Sequence, residues 1–255
     1  MKKILSILLI TIPTLCYSNY FTQGKETYDM SPEVIDTAPL RSTFYVYGRF
    51  FLSLPSGPES FAEKADKSLP VVIHLHGCGG VYSADHVVRQ FYSSLGMHFI
   101  MTDFHRRKDA SPGCILTSDN KVLFNANPET RWPARIKELE RHIKWLRLNG
   151  FNKIVVTGHS EGGIIAQYLN MKVDAVISHS VHCVYPNRVY KDANPENRNK
   201  ILQLTSKNDP YGRRFALCAD DPDHSNYTSI TSEVPSHEPF ADPAWKDGIK
   251  KFLGK

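Results

Sequence analysis

The sequence predicts a three-layer α/β fold, with one mostly parallel central sheet and helices on both faces. Short apolar runs of strand length alternate with helical patterns along the chain, and no internal repeat or long low-complexity tract breaks the alternation. With 255 residues, of which 41% are hydrophobic, the chain can bury one sizeable core and needs no second one. One domain is therefore expected over residues 19–255.

Residues 1–18 stand apart from that domain. Lys2 and Lys3 precede the apolar stretch 4–12, which together form the charged head and short apolar segment of a secretory signal. The stretch is shorter than the ~20 residues a membrane-spanning helix needs. Cleavage after Ser18 fits the small-residue rule for such processing. Cys16 raises lipidation as an alternative, although Leu15 ahead of it is larger than the residue that route usually tolerates. The expected product is exported, periplasmic or extracellular, with no stable membrane insertion once the signal is gone. Losing Lys2 and Lys3 lowers the formal charge from +5 to +3, too little to argue for nucleic acid or an anionic membrane as a partner. Cys78, Cys114, Cys183 and Cys218 then remain, and an even count in an exported chain suggests two disulfides, for which three pairings exist.

In chain order, strands are expected at 44–54, 71–75, 98–102, 153–157, 175–179, 201–205 and 227–234. The clearest helix spans 133–149: Ile136, Leu139, Ile143 and Leu146 recur at helical spacing, Pro133 suits a first-turn position and Gly150 suits the stop. A second helix closes the chain with Trp245, Ile249 and Phe252 on one face. Stretches 55–58 and 187–199 read as surface loops. Ligands of such sheets bind beyond the carboxyl ends of the strands, so chemistry is sought just after each strand.

Between the apolar run 153–157 and the helix-like 163–169 sits Gly158-His159-Ser160-Glu161-Gly162. A strand that reverses into a helix within a few residues strains its central residue, and small flanking residues let the two elements approach. The Ser160 hydroxyl is thereby pushed out, with the backbone N–H groups of Glu161 and Gly162 aimed beside it. After 71–75 comes His76-Gly77-Cys78-Gly79-Gly80, whose N–H on Cys78, with Gly79, would join that of Glu161 in an oxyanion hole. After 201–205 comes Asp209, a carboxylate able to orient a histidine; Asp220, Asp221 and Asp223 lie farther from the strand end. After 227–234 comes His237, a general base for Ser160, with His224 as its rival. His142 is expected on a polar helix face, His98 at the start of a strand and His74 within the sheet. His74 with His76, and His179 with His182, invite a metal reading, but no carboxylate cluster accompanies either pair. Neither metal nor cofactor is expected.

The chain order Ser160, Asp209, His237 is that of α/β-hydrolases. Over most of residues 40–255 the chain resembles that superfamily, and within it the dienelactone-hydrolase-like group, through 76–80, 158–163, Asp209 and His237. The resemblance implies a Ser160 nucleophile, a His237 base and an Asp209 orienter, cleaving an ester or related acyl bond of a small-molecule or polymeric substrate through an acyl-enzyme. Dienelactone hydrolases carry cysteine where this chain has Ser160, so their substrate does not transfer. The His-Gly-Cys segment is also similar to that of polyester depolymerases and feruloyl esterases. A peptidase or acyltransferase with the same triad, and an inactive hydrolase-fold binding protein, are the alternatives. That fold brings Cys78 near Cys114 and Cys183 near Cys218, which makes these the expected bridges. It also leaves only about twenty residues between His179 and Ile201, so a minimal lid is expected, with 106–131 as one pocket wall; Arg106, Arg107 and Lys108 there read as a solvated charge run.

Overall fold

The computed structural model describes residues 43–47, 58–81, 83–104, 114–116, 122–124, 128–181, 194–209, 227–237, 240 and 242–255. Residues 1–18, 106–108 and 182–193 lie outside them, as do Cys218, Asp220, Asp221, Asp223 and His224. The second expected bridge, Cys183 to Cys218, and the segment where a lid would insert therefore go undescribed.

Strands are β1 (Thr43–Tyr47), β2 (Val71–Leu75), β3 (His98–Asp103), β4 (Cys114–Leu116), β5 (Val122–Phe124), β6 (Ile154–His159), β7 (Ala175–His179), β8 (Ile201–Ser206) and β9 (Thr228–Ser232). Helices are α1 (Pro58–Lys64), α2 (Ser83–Ser94), α3 (Pro128–Leu148), α4 (Glu161–Gln167) and α5 (Pro243–Phe252). One sheet runs in the order β1-β3-β2-β6-β7-β8-β9. Strand β1 is antiparallel to β3, and every other pairing in the sheet is parallel. Strands β4 and β5 form a separate antiparallel pair.

The apolar strand runs are unbroken because both faces are covered, and their residues sort by parity. Val71, Ile73, Leu75, Ile154, Val156 and Val176 pack with α1, α3 and α4 through Phe61, Leu139, Ile143, Trp145, Ile164 and Ile165. Val72, Val155, Ala175, Ile177 and Leu202 pack on the opposite face with Phe91 and Tyr92 of α2 and Trp245 and Ile249 of α5. Asp242 caps α5 by accepting from the Ala244 N–H at 2.9 Å, and Pro243 follows as the first helical residue.

Several elements differ from the sequence reading. Helix α3 begins at Pro128 rather than Pro133, which lies inside it; Pro128 takes the first-turn position, and Pro133 removes one internal N–H from a long helix that tertiary packing holds. His142 is fully buried, not on a polar face. Arg135, Glu138 and His142 form a buried polar row at helical spacing beside the apolar Leu139, Ile143 and Leu146, so α3 is enclosed over more than its apolar stripe. The stretch read as a loop at 187–199 ends in a 3-10 turn, Pro195–Lys200, capped by the Asn194 side chain. Pro58, read as loop, opens α1. Strand β6 extends through Gly158 and His159, so the turn starts at Ser160 itself.

Candidate active site

Ser160 is the hinge between β6 and α4. Its backbone takes φ 52° and ψ −118°, a left-handed conformation that costs a non-glycine residue about 1–3 kcal/mol and is held only by its surroundings. Those surroundings are explicit. The Ser160 N–H donates to the His179 carbonyl at 2.8 Å, and its carbonyl accepts from Ile164 N–H at 3.1 Å. A Cβ on Gly158 would collide with the backbone of Gly162, and one on Gly162 with the carbonyls of Leu75 and His76. The two glycines thus let α4 lie against the ends of β6 and β2. The Ser160 hydroxyl makes no capping bond to α4, and the residue is partly exposed between buried His159 and Glu161.

The turn after β2 lies beside this serine. A Cβ at position 77 would stand 3.5 Å from Ser160 Cβ. Phe104 N–H donates to His76 Nε2 at 3.0 Å, so Nδ1 carries the ring proton and donates to the Gly77 carbonyl at 2.6 Å. Cys78 is bonded to Cys114 at the start of β4, with Cα atoms 5.2 Å apart, and the Cys114 N–H donates to the Cys78 carbonyl at 3.3 Å. Cys78 is half-buried and Gly79 exposed.

Asp209 and His237 leave the adjacent strands β8 and β9. Ser206 Oγ donates to the Val234 carbonyl, and Lys207 N–H to the Ser232 carbonyl at 2.9 Å, which ties the two exits together. His237 Nδ1 and Asp209 Oδ2 stand 2.6 Å apart, the carboxylate side chain 2% and the imidazole 11% exposed. A carboxylate only accepts, so the proton sits on Nδ1 and Nε2 is the acceptor end of the ring.

His159 and Ser180 hold the same loop. His159 Nε2 donates to the His237 carbonyl at 3.1 Å, and Ser180 Oγ donates to it at 2.5 Å. The two imidazoles pack edge to face with centroids 4.9 Å apart. Burial, then the neighbouring His237, push His159 down to about 3, against the upward pull of its hydrogen bond to the His237 carbonyl. Residue 237 is thereby brought against the residue preceding Ser160. Ser180, at φ 51° after β7, was not singled out from the sequence.

The side chain of Glu161 also went unread. It is buried and held by two arginines of α3: Arg131 through Nε at 3.1 Å and a second bond from Nη2, and Arg135 through Nη1 at 2.6 Å. Burial raises the carboxyl, but the charge of Arg135 and the hydrogen bond from Arg131 outweigh it, and Glu161 titrates below the ordinary glutamate range. Arg131 and Arg135 are four apart and share one face of α3, so their like charges are offset by the one buried carboxylate of Glu161. On the opposite sheet face, His74 Nε2 meets Asp85 at 2.7 Å and His179 Nε2 meets Thr157 Oγ1 at 2.7 Å. Among the described residues no group of three histidine, cysteine or acidic side chains is arranged to hold a metal ion.

The family model of the steryl acetyl hydrolases matches residues 1–192, three quarters of the chain. The chain belongs to the steryl acetyl hydrolase family. The match includes Ser160 and the turn after β2 and ends before Asp209 and His237. No curated protein sequence matches the chain. Solved structures of similar fold include MGS-M1, an α/β-hydrolase enzyme from a Medee basin deep-sea metagenome, at 12% identity and TM-score 0.54 over 91% of this chain and 100% of that one. A Klebsiella pneumoniae protein assigned as a dienelactone hydrolase aligns at 13% identity and TM-score 0.55 over 84% and 93%. XC6422 from Xanthomonas campestris, an α/β serine hydrolase without a lid, aligns at 12% and 0.52 over 85% and 89%. This steryl acetyl hydrolase family member has the α/β-hydrolase fold and is an esterase-type hydrolase.

Proposed function

We propose that this family member cleaves carboxylic esters through an acyl-enzyme on Ser160. The observation that carries the reading is the 2.6 Å bond between His237 Nδ1 and Asp209, on a loop whose carbonyl is bound by His159, the neighbour of Ser160. In the first half-reaction the Ser160 oxygen bonds to the acyl carbon as its proton passes to His237 Nε2; the carbonyl π pair moves onto oxygen. The N–H groups of Cys78, Gly79 and Glu161 receive that oxyanion, and the Asp209 carboxylate stabilises the imidazolium. Collapse breaks the bond to the alcohol, which leaves with the proton from His237. Water, deprotonated by the same imidazole, then releases the acid and restores Ser160.

The family's name makes acetyl esters of bulky, sterol-like alcohols the first substrates to test, ahead of aromatic and polymeric esters. Export of one domain comprising residues 19–255 is part of the proposal, supported by the charged and apolar pattern of residues 1–18 and by the bridge between Cys78 and Cys114. Among the described residues no helix is long and apolar enough to cross a membrane.

Labelling with a fluorophosphonate tests the chemistry. The parent should gain one adduct and hydrolyse aryl acetates, and Ser160→Ala should do neither while remaining folded. A folded parent that takes no label would favour a binding protein; label on Ser160→Ala would move the nucleophile elsewhere.

A further inference from the structure

Arg135, buried on α3, makes a divergent contact to two separate backbone segments at the site. Its Nη1 donates to Glu161 Oε1 at 2.6 Å, on the elbow, and its Nη2 donates to the His76 carbonyl at 2.8 Å, on the turn after β2. The guanidinium sits 5.5 Å from the Phe104 ring centroid, and it is that residue's N–H that fixes the His76 tautomer. We propose that Arg135 is a positioning residue that sets the two backbone segments of the candidate oxyanion hole in register, an inference that rests on the ester-hydrolase reading above.

Gly77 C=O and Cys78 N–H share one plane and point in opposite directions, so the bond from His76 Nδ1 to the Gly77 carbonyl fixes where the Cys78 N–H aims. The carbonyl of His76 is held by Arg135, so the guanidinium controls the residue from which that plane is oriented. On the other side, Glu161 is gripped by Arg131 and Arg135 together, which immobilises the residue whose N–H is the other expected donor. The planar fork of Arg135 reaches both acceptors in a fixed geometry, which the compact, freely rotating ammonium of a lysine would not hold. Burying these charges is no route to stability over apolar packing of the same volume, which argues that the arrangement serves geometry. Donor placement matters because a shift of about 1 Å costs on the order of a hundredfold in rate.

The test uses the full chain with Arg135→Lys, an aryl acetate substrate and a boronic acid that forms a tetrahedral adduct with serine. The expected result is a kcat lowered roughly ten- to hundredfold with KM changed by less than about twofold. Boronic acid affinity should fall in parallel with kcat/KM, while the pH–rate profile keeps its midpoints because His237 and Asp209 are untouched. Glu161→Gln, which keeps the backbone donor and the side-chain shape, should behave likewise, and the double variant should lose little more than either alone. If Arg135→Lys does not fold, Glu161→Gln carries the same readouts. A folded variant with kcat and boronic acid affinity within about twofold of the parent overturns the inference, even if its melting temperature falls. A parent that fluorophosphonate does not label overturns the ester-hydrolase reading and this inference together, whereas a labelled parent with an unimpaired variant overturns this inference alone.

Discussion

Replacing both Cys78 and Cys114 with serine opens the one covalent cross-link among the described residues. The bridge closes a loop of sequence separation 36, and the chain-entropy relation for a loop of that length gives about 4 kcal/mol at 25 °C. In a chain of this size such a loss lowers the melting temperature by about 8–16 °C. The assay is urea unfolding followed by tryptophan fluorescence, comparing the oxidised parent, the parent in reductant and the double-serine variant. The midpoint should fall for the last two, and the slope should rise because the uncrosslinked chain exposes more surface when unfolded. Initial rates on an aryl acetate, measured well below the midpoint, should fall in kcat more than in KM, because the Cys78 N–H loses an anchor. Thiol titration establishes that the parent is oxidised. Given that, a double-serine variant within about 0.5 kcal/mol of the parent would refute the entropic argument.

Other perturbations probe separate parts of the molecule. Gly162→Ala places a methyl group against the carbonyls of Leu75 and His76 and must push α4 off the end of β2; a stability loss of about 1–3 kcal/mol and a rate loss on the order of a hundredfold are expected by denaturation and steady-state kinetics. Asp209→Asn should keep the fold but cut kcat by about 10⁴-fold, because an amide permits the wrong tautomer of His237; a variant retaining a tenth of parental kcat would exclude Asp209 as orienter. Buried His142 titrates at about 4 in the fold against 6.5 as its ordinary value, held down by burial against the pull of Glu138. The unfolded chain takes up the proton first, so this contribution is complete above about pH 6.5 and drains away toward pH 4, by up to about 1.4 kcal/mol per pH unit. His142→Leu should therefore flatten the stability-versus-pH curve between those limits, read from urea midpoints; an unaltered slope would contradict it.

Where a segment's own residues determine its structure, the sequence was legible. Strands β2 and β7 were located to the residue because their short runs, Val71-Val72-Ile73 and Ala175-Val176-Ile177, are apolar on both faces and suit burial on both. Pro133 misled because the first-turn preference of proline is local, whereas α3 is held by packing that overrides it. Helix α2 was missed although Val88, Phe91 and Tyr92, with Leu95 just past its end, recur at helical spacing on its buried face, whereas the three-residue strands β4 and β5 are too short to show a period. The chain order of Ser160, Asp209 and His237 could be read because each follows a strand. What could not be read was how distant side chains meet: Arg135 reaches Glu161 across 26 positions and His76 across 59, and nothing in either neighbourhood names the other. His142 was misplaced for the same reason, since the row it shares with Arg135 and Glu138 looks solvent-facing until α3 is enclosed.

The seam between β2 and β6 joins segments farther apart along the chain than any other pair in the large sheet, Val71 opposite Ile154. Each side of that seam ends in one half of the candidate chemistry. During folding the first half presents an open edge until the second joins it, and a cleavage between Cys114 and β6, beyond the loop that the disulfide closes, is expected to yield two separable fragments that are inert apart. Reassociation of such fragments would restore turnover only by re-forming this one junction, which makes recovered catalysis a direct reporter of its assembly.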